Sequence, residues 1–394
     1  MIKAARWGRM LGVAAFLAGD LASALANTAE RTAPIRPGAT TKSAPAPAKA
    51  SPPPATKAPA AKAPAPATAK AAAPRSTAVT APATASRRIG TVDYMSVAEV
   101  ARRLGLSLTA GRSSRVVILS GRGVKAELEA DQRDSTINGL RVFLGSPVAL
   151  LGGALYVSRV DFERCLTPLL RPGLGMAARA KPKVIVLDPG HGGRDFGKVP
   201  GGAGGSEKTY TLDVARRAEK LLTAAGYKVV LTRETDTFID LAPRAVIANT
   251  NRADLFVSIH FNALVNDTRT SGVEIFTFAP RYQRSTISWG PRQIDDTENR
   301  AAPVNRYDHW SVLLAQSLQR RFVTDLKTAD RGRKIAHFGV LRGLNCPGLL
   351  LECGFLTSEA ELRKIATPAY RQQLAEAIAD GISDYAVALG SAKK

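Results

Sequence analysis

From Lys183 onward the chain alternates short apolar runs with amphipathic stretches, and that alternation leaves few folds open. Val184–Leu187, Lys228–Thr232, Leu255–Ile259, Val273–Phe278 and Gly348–Leu351 read as strands. Between and after them, helical spacing runs over Glu207–Ala225, Leu241–Asn251, Trp310–Leu326 and Ala369–Val387. The first of these helices carries Leu212, Ala215, Leu221 and Leu222 and stops at Gly226. Strands that are apolar almost throughout, interleaved with helices, predict an α/β fold whose mainly parallel sheet is covered on both faces.

Upstream, residues 89–171 predict a small α+β unit. Ser96–Leu104 has helical spacing, with Val97, Val100, Ala101 and Leu104 on one face. Short strands follow at Val116–Leu119, Val124–Leu128, Arg141–Phe143 and Ala154–Val157, punctuated by turn signals at Gly121–Gly123, Asn138-Gly139 and Gly152-Gly153. Ser158–Leu170 is expected to close the unit as a helix. It holds no histidine and no carboxylate cluster, so nothing in it points to catalysis. Arg171–Lys183 is a connector containing Gly, Ala and Pro.

Charge decides what lies before that. Of 394 residues, 55 are Lys or Arg and 33 Asp or Glu, a formal net charge of +22. Nine units of the excess fall in residues 27–88, a run of Ala, Pro, Lys, Thr and Ser without an aromatic residue. Such a segment cannot bury enough apolar surface to offset its ordering entropy, so a disordered linker is expected. Residues 1–26 have a basic start (Lys3, Arg6, Arg9), an apolar stretch over Met10–Gly19 and a small-x-small end at Ala24–Ala26. They predict a signal peptide, hence export to the periplasm or cell envelope, and Asp20 breaks the apolar run too early for a membrane span. With that leader, and with no known recognition motif or aromatic-basic interleaving, nucleic acid is not an expected partner. The three cysteines, Cys165, Cys346 and Cys353, have no CxxC spacing and are expected to be buried thiols.

Two of the four histidines follow apolar strands. Val184–Leu187 runs into Asp188–Gly193 (DPGHGG), which carries His191, and Leu255–Ile259 runs into His260. Ligands of open α/β sheets bind outside the carboxyl ends of strands. Glu207 opens a helix with Ser206 in the N-cap position, and Glu352 ends the apolar strand Gly348–Leu351. A carboxylate there should be desolvated, which raises its pKa and suits it to proton transfer. A lone strand-end histidine is more often structural than a ligand. Two histidines and one carboxylate with a fourth position open make a catalytic zinc set, and a second carboxylate would collect the proton of the attacking water.

The motifs DPGHGG, Ser206–Lys208, Ser258–Ala263 (SIHFNA), Ser271–Glu274, Arg331-Gly332, Val340–Arg342 and Leu351–Leu356 (LECGFL) occur in that order. Together they resemble the zinc-dependent N-acetylmuramoyl-L-alanine amidases of the autolysin and cell-separation type, over residues 183–389. The resemblance implies a three-layer α/β sandwich and one zinc ion per chain. It implies His191, Glu207 and His260 as zinc ligands and Glu352 as the catalytic carboxylate. It also implies hydrolysis of the amide between N-acetylmuramic acid and L-alanine, with peptidoglycan as substrate and cell-wall remodelling or daughter-cell separation as the role. Asn262 and Arg342 become substrate contacts by motif position, and an envelope activator protein is an open partner. Residues 89–171 resemble, by pattern alone, the copper-amine-oxidase N-terminal-like accessory domain, which implies a binding or spacer module without a copper site.

The stretch Ala279–His309 departs from the minimal family. Some relatives carry a helix here that plugs the zinc site. Pro280, Pro291, Pro303 and a polar composition predict a substrate-shaping loop instead. His337 is expected on a strand edge or loop and His309 at the surface. Glu274 is expected to be solvated as readily as not, and Lys208 and Arg216 to belong to a charged helix face. Two other functions remain open: a zinc peptidase using the same ligands, and an envelope-binding protein whose basic linker and accessory unit do the work.

Overall fold

The computed structural model describes residues 85–174, 179–201, 205–288 and 295–391. The expected signal peptide (1–26) and all but the end of the expected linker (27–88) lie outside the described residues. The end of that linker is ordered: Ser86–Ile89 forms strand β1, paired antiparallel with β2 (Val92–Ser96).

The helix expected after β2 is α1 (Val97–Leu104). Ser96 caps it by accepting from the Glu99 N–H at 3.2 Å, and Gly105 stops it in the left-handed conformation. A meander then runs through β3 (Ser107–Ala110), β4 (Val116–Gly121), β5 (Val124–Glu129), β6 (Asp134–Ile137) and β7 (Leu140–Phe143). Strands β8 (Ala149–Leu151) and β9 (Ala154–Ser158) complete a four-stranded sheet ordered β1-β2-β9-β8. The two-residue turns form at Asn138-Gly139 and Gly152-Gly153, all four residues having positive φ, as hairpin turns of this kind require. Residues 159–170 are helical, as expected.

The remaining elements are β10 (Val184–Pro189), α2 (Glu207–Ala224), β11 (Lys228–Leu231), α3 (Leu241–Thr250), β12 (Leu255–Asn262), β13 (Val273–Phe278), α4 (Asp308–Thr324), β14 (Asp330–Ala336), α5 (Gly339–Arg342), β15 (Gly348–Phe355), α6 (Glu359–Ile365) and α7 (Pro368–Ser391). The strands order β11-β10-β12-β15-β13-β14, with every pair parallel except β15–β13. One face packs on α2, α4 and α7 through Ile185, Val257, Leu351, Val214, Leu318 and Ile378. The other packs on α3 and α5 through Val186, Phe256, Leu350, Ala245 and Leu341. This is the expected three-layer α/β/α arrangement with a mainly parallel sheet.

The sheet does not end at β14. It continues through a parallel β14–β7 pairing, Arg333 opposite Val142, into the meander, giving eleven strands. Side chains reinforce the seam. The Arg141 N–H donates to Asp330 Oδ2 (2.8 Å), Gln319 Nε2 to the Arg141 carbonyl (2.8 Å) and Gln283 Nε2 to Asp161 Oδ1 (2.9 Å). Val312 of α4 belongs to the core of the upstream unit.

Candidate metal centre

The carboxyl ends of β10, β12 and β15 share one edge of the sheet, and three side chains converge there. His191 follows β10 on the glycine-rich turn, in the left-handed region at φ +61°, a conformation that a non-glycine residue adopts only when its surroundings impose it. Its Nε2 lies 3.0 Å from Glu207 Oε1, and His260 Nδ1 lies 3.1 Å from the same oxygen. The imidazole centroids are 4.9 Å apart and nearly perpendicular. One donor atom from each of the three residues falls within 4.8 Å of the others. A tetrahedral centre with bonds of about 2.1 Å spaces its ligand atoms roughly 3.4 Å apart, so this set of two nitrogens and one oxygen fits zinc.

The shell around the three fixes their aim. His191 Nδ1 lies 2.8 Å from Asp195 Oδ2, which leaves Nε2 facing inward. The Lys198 N–H donates to Glu207 Oε2 (2.8 Å) and the Phe261 N–H to Oε1 (3.1 Å). Two glycines make room: a Cβ on Gly190 would sit 2.2 Å from His260 Cε1, and one on Gly197 2.6 Å from Glu207 Oε2. Beneath the turn, fully buried Asp188 accepts from Thr232, Ser258 and Arg244, and Arg244 Nη2 donates to the His191 carbonyl.

Electrostatics bind the cluster into one unit. Burial disfavours charge on His191, yet the adjacent Glu207 carboxylate and the Asp195 hydrogen bond outweigh it and raise its pKa to about 10. Glu207 is likewise desolvated, and the two imidazoles still hold its carboxyl well below the ordinary carboxylate range. A divalent cation suits this arrangement because it replaces the shared proton at the same point.

Glu352 stands opposite His260 in the parallel β12–β15 register. Burial first, then the charges of Glu207 and Glu274, raise its carboxyl well above the usual range, and Oε2 is buried with no hydrogen-bond partner.

Glu274 differs from its expected solvated state. It is 4% exposed; its Oε1 accepts from Lys334 Nζ (2.6 Å) and Arg331 Nε (2.9 Å), and its Oε2 accepts from Asn262 Nδ2 (2.9 Å). Asn262 is thus beside the cluster, engaged with Glu274 and with the Ala263 N–H. Lys208 also differs. It is buried, with Nζ donating to Asp236 and to the Gly193 carbonyl and lying over the Phe196 ring. Arg216 is exposed, as expected. Ser206 occupies the N-cap of α2 without a capping side-chain bond.

Arg342 is not brought to the cluster. Strands β13 and β14 run against β15, so Phe278 lies at the far end of β13 from Glu274, about 13 Å along the strand. The Arg342 guanidinium lies 5.2 Å from the Phe278 ring centroid and pairs with Glu298. The segment 279–309 leaves from that same far edge. Its described parts form only turns of 3-10 helix, Thr286–Ser288 and Pro303–Tyr307, while Trp289 and its neighbours to 294 lie outside the described residues. Its hydrogen bonds reach Asp161, Ile335, His337 and Arg342, none of them in the cluster, so a substrate-shaping role does not follow from them. His337 is a buried anchor for this segment, with Nδ1 3.3 Å from Ser285 Oγ and 3.4 Å from Asp296 Oδ2. His309 is half-buried rather than at the surface, hydrogen-bonded to the Pro172 backbone and pushed down to about 4 by desolvation. All three cysteines are buried and free.

Residues 185–384 match the Amidase_3 family, described as N-acetylmuramoyl-L-alanine amidase. Over 224 residues the chain is 33% identical to the N-acetylmuramoyl-L-alanine amidase AmiA of Escherichia coli K12, spanning 52% of this chain and 76% of that protein. It is 32% identical over 265 residues to AmiC of Neisseria meningitidis serogroup B, spanning 60% of this chain and 61% of that one. A crystal structure of an N-acetylmuramoyl-L-alanine amidase from Clostridium difficile 630 aligns at 35% identity over 52% of this chain and 97% of that chain, with a TM-score of 0.43. The chain belongs to the Amidase_3 family of N-acetylmuramoyl-L-alanine amidases and is a hydrolase.

Proposed function

We propose that the chain is a zinc-dependent peptidoglycan amidase that hydrolyses the bond between the lactyl group of N-acetylmuramic acid and L-alanine. One observation carries the reading: the donor atoms of His191, Glu207 and His260 converge beside a buried carboxyl oxygen of Glu352 that has no partner. His191, Glu207 and His260 would hold the ion. Zinc bound there would supply the chemistry of a Lewis acid, lowering the pKa of a water and polarising the scissile carbonyl.

The protein's own part is proton handling. As a carboxylate with Oε2 open, Glu352 would take a proton from the attacking water. It then returns that proton to the amide nitrogen as the C–N bond breaks, leaving a lactyl carboxylate and a free L-alanine amino group. Asp195 keeps His191 in one orientation, and Glu274, neutralised by Lys334 and Arg331, keeps the neighbouring wall fixed.

Among the described residues no helix is long and apolar enough to cross a membrane. The leader and basic linker would carry the catalytic body to the periplasm or envelope. Residues 89–171 would serve as a binding or spacer module of the copper-amine-oxidase N-terminal-like type, with an envelope activator as a further partner. Metal analysis of the purified chain tests the reading: about one zinc per chain, lost together with muropeptide release on chelation, is expected. Full activity after the metal is removed would overturn it.

A further inference from the structure

We propose that Arg331 anchors a carboxylate on the departing stem peptide, so that the enzyme favours peptides whose second residue carries a free carboxylate. The inference rests on the amidase reading above. Four residues form a row across neighbouring strands at the metal edge: His260 on β12, Glu352 on β15, Glu274 on β13 and Arg331 on β14. Neighbouring strands lie about 4.8 Å apart, which puts the strand of Arg331 roughly 10 Å from that of Glu352. Two residues of extended peptide reach about 7 Å from the scissile nitrogen, and the length of the arginine side chain covers the rest.

Arg331 is built to bind. Its Nε is tied to Glu274 Oε1 at 2.9 Å, and its guanidinium carbon lies 5.1 Å from the Phe355 ring centroid. Its side chain is 32% exposed, and its two terminal nitrogens make no hydrogen bond among the described residues. A guanidinium held at one nitrogen and stacked on a ring presents a pre-organised pair of donors, the fork that suits a carboxylate. Charge leaves the fork available. Glu274 is shared between Arg331 and Lys334, and its second oxygen is already taken by Asn262; Glu361, the other carboxyl that acts on Arg331, has its oxygens held by the Gly272 and Phe355 N–H groups.

The test uses the full chain and two soluble muramyl peptides that are identical except at the second residue, whose α-carboxyl is free in one and amidated in the other. A charge-assisted pair of this kind predicts that wild type favours the free acid in kcat/KM by about tenfold or more. Arg331→Met should bring that ratio close to one, mainly through KM, and Arg331→Lys should restore part of it. A merely structural ion pair would lower both substrates alike and keep the ratio. That result, or a wild type without preference, overturns the proposal. Cleavage of neither peptide by the wild type would overturn the amidase reading and this inference with it.

Discussion

Glu274 and Glu352 are direct partners in the antiparallel register of β13 and β15, and their carboxyl groups have opposite surroundings. Glu274 is buried and fully paired, by Lys334, Arg331 and Asn262. Glu352 has a buried oxygen with no partner, and desolvation together with the charges of Glu207 and Glu274 raises its proton affinity. Side by side on neighbouring strands, one carboxyl is tied into the wall by three partners, while the other keeps an oxygen open for the proton transfer proposed above.

Asp195 is the hydrogen-bond partner of His191, one of the three proposed zinc ligands. With Asp195→Ala, His191 loses the 2.8 Å contact that aims its ring. Zinc affinity or turnover should fall about 10- to 100-fold. Competition with a metal indicator reads the affinity, and an unchanged value would show that Asp195 does not position His191.

Gly190 is required by contact rather than by conformation. A methyl group there would stand 2.2 Å from the His260 ring. Gly190→Ala is expected to displace His260 and to abolish stoichiometric zinc binding while leaving far-ultraviolet circular dichroism close to wild type. Normal zinc content in the variant would contradict this packing.

Much of this was readable in the chain itself. Apolar runs ending in His191, His260 and Glu352 place those residues at strand ends, and Asn138-Gly139 fixes a hairpin, because both signals are local. Strand direction and long-range pairing leave no such mark. Arg342 looks like a site residue until the reversal of β13 and β14 carries its surroundings to the far edge. The burial of Glu274 depends on cations 57 and 60 residues away in sequence. The junction of β14 with β7 rests on one backbone pairing and a few side-chain bonds, which no hydrophobic period announces.

The Arg244–Asp188 pair should be a point of stability. Both side chains are almost wholly buried and 2.8 Å apart, and Arg244 also donates to the Ile239, Pro189 and His191 carbonyls. Arg244→Leu leaves Asp188 buried with only the Thr232 and Ser258 hydroxyls and no cationic partner, a cost of about 3–5 kcal/mol. Urea unfolding should show the loss, and a midpoint within error of wild type would contradict it.

Asp308 sets a pH dependence away from the metal. Burial pushes its carboxyl up to about 7, against the Asn305 hydrogen bond and the charges of Arg164 and Arg333. The folded value lies above the ordinary 3.8, so between those limits the folded chain holds a proton that the unfolded chain has lost. Stability from this group therefore falls as pH rises from about 4 to 7 and is level above that. Asp308→Asn should be more stable than wild type at pH 8 and show no such gain at pH 4, as read by thermal unfolding at both values. An equal effect at the two pH values would refute the assignment.

The proposed chemistry needs zinc held by His191, Glu207 and His260, with Glu352 as proton carrier, to cleave the bond between muramic acid and L-alanine. Mass spectrometry of purified sacculi digested by wild type and by Glu352→Gln tests it most directly. The wild type should release stem peptides with a free L-alanine amino terminus and leave glycan strands intact. The zinc-loaded variant should release about two to four orders of magnitude less product. Peptides cut at an internal peptide bond, or undiminished release by Glu352→Gln, would contradict it.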